Sequence, residues 1–94
     1  MPIAAVMTFQ GATLDQYDQA LADMGFTPGG AAAPGELFHF ATAIDGGIRI
    51  TEIWESPDQF EAFTRDVVGP AAAKAGITEL PEVSVVPIHN HLSA

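Results

Sequence analysis

The 94-residue sequence contains no cysteine and only three basic residues, and each scarcity removes a class of function. Without thiols there is no disulfide framework, no thiolate nucleophile and no cysteine-ligated zinc or iron–sulfur site. Three Lys and Arg against twelve Asp and Glu give a formal charge of -9, which repels phosphate backbones and anionic lipid alike. Neither nucleic acid nor a membrane surface is therefore expected as a partner. No apolar run approaches the roughly 20 residues of a membrane span. The opening MPIAAVMTFQ has no basic n-region, and Thr8 and Gln10 interrupt its apolar run. It is not read as a secretory signal, and a soluble, cytoplasmic protein is expected.

What is present is enough to fold. The hydrophobic fraction of 48% is too high for a disordered chain. So short a chain makes one domain, residues 1 to 94, whose core stays modest unless it associates with a second copy.

Residues 3 to 9, IAAVMTF, have strand length and are stopped by Gln10-Gly11-Ala12. Thr13 then stands as an N-cap with Gln16 three residues on, a capping box, and Asp15 lies in the first turn. Leu14, Tyr17, Leu21 and Met24 recur at helical spacing, and Gly25 supplies the C-terminal stop. Residues 26 to 36, FTPGGAAAPGE, are too rich in Gly, Pro and Ala for a regular ladder. A loop this long in a small domain is expected to flank a binding site.

LFHFATAI and IRITEIWE are strand-like and flank Asp45-Gly46-Gly47, the chemistry of a hairpin turn. Ser56, Pro57, Asp58 and Gln59 then form a second capped helix start, with an expected stripe of Phe60, Phe63 and Val67. Gly69-Pro70 is expected to break that helix. EVSVVPI reads as a last strand, with Pro87 marking an edge. The order β-α-β-β-α-β is that of a ferredoxin-like α+β domain, an antiparallel four-stranded sheet with both helices on one face.

A two-residue hairpin loop sets His39 opposite Glu52 or Trp54, all on one face. A three-residue loop would instead group His39 with Arg49 and Glu55. On the two-residue register, Phe38, Phe40, Ile44 and Ile53 are expected to meet the helices. Leu37, His39, Ala41, Ala43, Ile48, Ile50, Glu52 and Trp54 then fall on the helix-free face. Leaving its large apolar side chains in water would forfeit about 1.5–3 kcal/mol each, so a second copy of the sheet is expected to cover them. Two sheets brought face to face by a two-fold axis close into a barrel around His39, Glu52 and Trp54.

The β-α-β-β-α-β order, together with ITEIWESPDQFEAF, resembles the dimeric α+β barrel superfamily, and within it the small proteins related to antibiotic biosynthesis monooxygenases. The likeness lies in an aromatic and an acid ahead of a Ser cap and a Phe-containing helix, and it spans nearly the whole chain. The resemblance implies a homodimer with one pocket per subunit. It implies an activity drawn from cofactor-independent oxygenation of polyketide phenols, haem degradation, isomerisation or ring-forming steps. Of the Asn, Trp and Tyr used by the anthrone-type oxygenases, only Trp54 finds a match. The haem-degrading branch uses an axial His on a helix, and neither predicted helix contains one, so no cofactor is expected. A small oxidoreductase-like enzyme of secondary metabolism is implied, taking a hydrophobic aromatic or polyketide-like ligand; a non-catalytic ligand-binding or structural barrel is the alternative.

The candidate chemistry rests on few residues. His39 oriented by Glu52 reads as a general acid/base pair, since an imidazole beside a carboxylate titrates near neutral pH. The same pair equally reads as two groups satisfying each other in a dimer core. Trp54 offers a flat wall for an aromatic ligand, or simply core volume. Arg49, the one basic residue on a predicted strand, could receive a ligand carboxylate or phenolate, or pair with a nearby acid. Tyr17 is expected to bury its ring and bring its hydroxyl to the pocket rim. His89 and His91 lack a third ligand, so no metal is expected.

Overall fold

The computed structural model describes residues 1 to 92. Strand β1 (Ile3–Gln10) leads into α1 (Leu14–Met24), followed by β2 (Glu36–Ile44) and β3 (Gly47–Trp54). Helix α2 (Pro57–Phe63), a π-helical turn (Thr64–Val68) and α3 (Gly69–Lys74) precede β4 (Glu82–Pro87). The sheet runs β2-β3-β1-β4 with every neighbour antiparallel, the ferredoxin-like topology.

Local chemistry sets the element ends. Thr13 accepts from the Gln16 N–H while the Gln16 side chain accepts from the Thr13 N–H, closing the expected capping box. Gly25 ends α1 in the left-handed region at φ 86. Ser56 caps α2 by accepting from the Gln59 N–H, but the second box is only half made. The Gln59 side chain bonds the Ser56 hydroxyl and Glu55 rather than the Ser56 backbone. The hairpin has the two-residue loop, Asp45-Gly46, and pairs Ile44 with Gly47. At Gly47 a Cβ would collide with the Phe9 carbonyl oxygen, so β1 and β3 can approach there only because the side chain is absent.

Gly69-Pro70 does not break the second helix. Pro70 has no N–H to give to the preceding turn, and the chain widens instead, with the Gly69 N–H reaching back five residues to the Thr64 carbonyl. The extra residue in this turn shifts the phase of the helix: Val67, expected in the buried stripe, is exposed, and Val68 turns inward.

His39 pairs with Glu52, one of the two partners that the two-residue loop allowed, but the assignment of faces is reversed. Ile3, Ala5, Met7 and Phe9 of β1 are buried with Ile48, Ile50, Glu52 and Trp54 of β3, under the helical layer. Trp54 meets Phe60 and Phe63 of α2, with ring centroids 6.2 and 5.5 Å away. Phe38 and Phe40, expected against the helices, stand on the open face at 53% and 45% exposure. Strand β1 explains the reversal: Ile3, Ala5, Met7 and Phe9 make one of its sides wholly apolar while Thr8 and Gln10 fall on the other, and the helices close on the apolar side, which β3 shares through Ile48, Ile50 and Trp54.

Candidate functional site

One residue of β2 is out of alternation, and the site depends on it. The ladder shifts between Glu36 and Phe38, a bulge that places Glu36 opposite Trp54 while His39 stays opposite Glu52. Glu36 and His39 therefore share the helix-covered face, although an unbroken strand would set them on opposite faces. From α1, the stripe that packs on the sheet brings Tyr17 over the same spot.

The four groups form one hydrogen-bonded cluster. His39 Nδ1 lies 2.9 Å from Glu36 Oε2 and 2.9 Å from Glu52 Oε2. His39 Nε2 lies 2.5 Å from the Tyr17 hydroxyl. The other oxygen of each carboxylate is also held: Trp54 Nε1–H donates to Glu52 Oε1 at 2.9 Å, and the Ala33 N–H donates to Glu36 Oε1 at 3.2 Å. Both nitrogens of the ring and all four carboxyl oxygens thus have partners, as buried polar groups require.

Electrostatics follows from that geometry. Burial alone pushes the His39 imidazole down, but its bonds to Glu36, Glu52 and Tyr17 outweigh burial and hold it up at about 11. Burial likewise raises Glu36, yet bonds with His39, Glu52 and the Ala33 N–H bring it below the usual carboxylate range. Glu52 is raised, by burial and by Glu36, against the opposing bonds from His39 and Trp54. At neutral pH the cluster holds an imidazolium beside an ionised Glu36, while Glu52 keeps its proton more readily than an ordinary Glu.

Beside the cluster is an open cavity of about 520 Å³, within the range of small-molecule sites. Tyr17, Glu36, His39 and Glu52 reach it, and Met7, Phe9, Ile48, Ile50 and Phe63 make its walls apolar. Residues 26 to 32 contribute part of its lining, so the long loop does flank the cavity. With Nδ1 committed to the carboxylates and Nε2 to Tyr17, His39 can act on a ligand through the tyrosine. An imidazolium donating to the Tyr17 oxygen leaves the phenolic hydrogen free to meet an oxygen on the ligand.

His39, Glu52 and Tyr17 are brought together; the other two expected residues are not in the cavity wall. Trp54 is 1% exposed and packed on α2, where it anchors Glu52 instead of facing a ligand. Arg49 is exposed on the opposite face of the sheet, and its Nε donates to the Thr8 hydroxyl at 3.3 Å; among the described residues no acid pairs with it. Glu36 was missed because period-two alternation assigns it to the wrong face; Pro34-Gly35 just ahead of the strand marks an irregular entry but does not fix the bulge. Glu36, His39 and Glu52 offer ligand atoms within 4.8 Å of one another. A divalent cation there would have to displace the His39 proton, which already balances the carboxylate charge. Among the described residues, no helix is long and apolar enough to cross a membrane.

No family model and no curated protein matches the sequence. Solved structures do match. A Chloroflexus aurantiacus protein provisionally described as an antibiotic biosynthesis monooxygenase is 26% identical, with 97% of each chain covered and a TM-score of 0.62. A Caulobacter crescentus protein with the same provisional description is 18% identical over 95% of this chain and 91% of that one, at a TM-score of 0.69. The fold is that of the antibiotic biosynthesis monooxygenases. SnoaB of Streptomyces nogalater, a cofactor-independent oxygenase, shares this monooxygenase-like fold at 18% identity, covering 99% of this chain and 96% of that one with a TM-score of 0.58.

Proposed function

We propose that the protein is a small cofactor-independent enzyme that performs acid/base chemistry on a hydrophobic aromatic or polyketide-like ligand held in the cavity beside Tyr17. The observation that carries this reading is the chain of contacts from Glu36 and Glu52 through His39 to the Tyr17 hydroxyl, ending at an apolar cavity. In this role His39 is the proton reservoir, Glu36 and Glu52 fix its tautomer and charge, and Tyr17 meets the ligand. A hydroxyl backed by an imidazolium is suited to stabilising the negative charge that develops on a carbonyl or phenol oxygen as the ligand enolises or ionises. An electron-rich enolate or phenolate then carries the difficult step itself, whether oxygenation, isomerisation or ring closure. The likeness to SnoaB supports oxygenation among these.

The working form is proposed to be a homodimer, supported by the open sheet face, where Phe38, Phe40 and Val86 are about half exposed. Leaving such side chains in water forfeits about 1.5–3 kcal/mol for each that could be fully buried. This is the opposite face from the one expected from the sequence, so the cavity lies within each protomer and not between sheets.

Oxygen consumption with anthrone, in the absence of added metal or cofactor, tests the reading. Turnover should fall by about 10²–10⁴-fold in Tyr17→Phe and His39→Gln, while anthrone affinity changes little. Undiminished turnover in Tyr17→Phe would remove the proposed proton path. Binding of such ligands without turnover by the native chain would favour the non-catalytic alternative, for which the mutual satisfaction of the cluster speaks.

A further inference from the structure

We infer that the cavity selects an uncharged ligand and rejects a carboxylate-bearing analogue of the same shape. The inference rests on the cavity being the ligand site and adds the charge of what it takes. The chain has three basic residues in all, Arg49, Arg65 and Lys74, and none of them lines the cavity. Arg49 is on the far face of the sheet, bonded to Thr8. Arg65 is exposed and paired with Asp66 at 2.8 Å. Lys74 is exposed at the end of α3.

The charged groups that do reach the cavity are Asp18, Glu36, His39 and Glu52. Three of the four are acids. The one cation is already committed, because His39 Nδ1 is shared between two carboxylates and Nε2 is held by Tyr17. A ligand carboxylate would therefore give up its hydration in an apolar cavity without meeting a free cation, and would sit beside carboxyl groups. The formal charge of -9 adds a repulsive field on approach. A carbonyl or phenol has no such cost and finds a hydrogen-bond partner in the Tyr17 hydroxyl. An enzyme built this way acts on a substrate whose acid group has been esterified, amidated or lost beforehand.

The test is titration calorimetry at pH 7 with a matched pair, anthraquinone-2-carboxylic acid and its methyl ester, on the native protein and on Asp18→Lys. Asp18 is exposed at the cavity, so its replacement leaves the core intact. The ester is expected to bind at least tenfold more tightly than the acid, with the ratio narrowing in Asp18→Lys and at high salt. Equal affinities, or tighter binding of the acid, would overturn the charge inference while leaving the cavity as a ligand site. Binding of neither compound would overturn the ligand site itself, and with it the proposed function.

Discussion

Glu36 and His39 lie three residues apart in one strand yet direct their side chains to the same point, with Oε2 and Nδ1 2.9 Å apart. Only the bulge between Glu36 and Phe38 permits this, since alternation would carry one of them through to the open face. The site thus has two carboxyl groups where a regular strand would give one. The second carboxylate gives the imidazolium another acid to hold it, and so keeps its proton more firmly than Glu52 and Tyr17 would alone.

That difference is measurable. In Glu36→Gln, His39 loses an ionised partner, and its titration is expected to fall from about 11 by about 1–3 pH units. Nitrogen-15 NMR of the imidazole reads it directly. A native His39 that titrates near 6.5 would show that the two carboxylates do not hold the ring as the geometry requires.

The same shift links the cluster to stability. The folded-state pKa of His39 is raised above its ordinary value of 6.5, so the folded protein binds the proton more tightly than the unfolded chain. Its contribution is fully present below pH 6.5 and is lost as pH rises through that value towards about 11. Urea midpoints of the native protein should accordingly fall across this window more steeply than those of His39→Gln. Parallel curves would mean that His39 contributes nothing pH-dependent to folding.

Trp54 read from the sequence as either a pocket wall or core, and its buried position behind Glu52 decides what its replacement should do. Trp54→Phe keeps an aromatic ring against Phe60 and Phe63 but removes the N–H held by Glu52 Oε1. A buried acceptor left without its donor costs about 1–3 kcal/mol, which denaturant unfolding would register. Ligand affinity should change far less than stability, and the reverse pattern would return Trp54 to the cavity wall.

How far the sequence could be read depended on the range of the forces involved. The Thr13–Gln16 capping box, the Gly25 stop and a tight turn within Asp45-Gly46-Gly47 are decided within a few residues, so they were legible, and a two-residue turn left His39 opposite either Glu52 or Trp54. Which face met the helices was not legible, because both faces of β2 and β3 carry apolar side chains. The choice falls to β1, which lies far away along the chain and is wholly apolar only on the side of Ile3, Ala5, Met7 and Phe9. Gly69-Pro70 misled in a different way: the missing N–H of Pro70 was absorbed by one wide turn, which moved Val67 out and Val68 in. Glu36 was hidden by the same alternation rule that correctly set His39 and Glu52 on one face.

The open face yields the last prediction. Phe38 and Phe40 pack edge to face with ring centroids 5.8 Å apart, and Ile53 and Thr51 stand beside them on β3. Helices cover only the other side, so a second copy is the cover proposed for this one. Light scattering should give twice the 9.8 kDa mass of the chain, and Val86→Glu, on the same open face, should yield a folded monomer. A charge there meets water in the monomer but would be desolvated in the pair, at a cost of several kcal/mol. Because Val86 does not line the cavity, the monomeric variant should still bind ligand. If ligand binding disappeared together with dimerisation while the fold persisted, the cavity would have to be completed by the partner and not by the protomer alone.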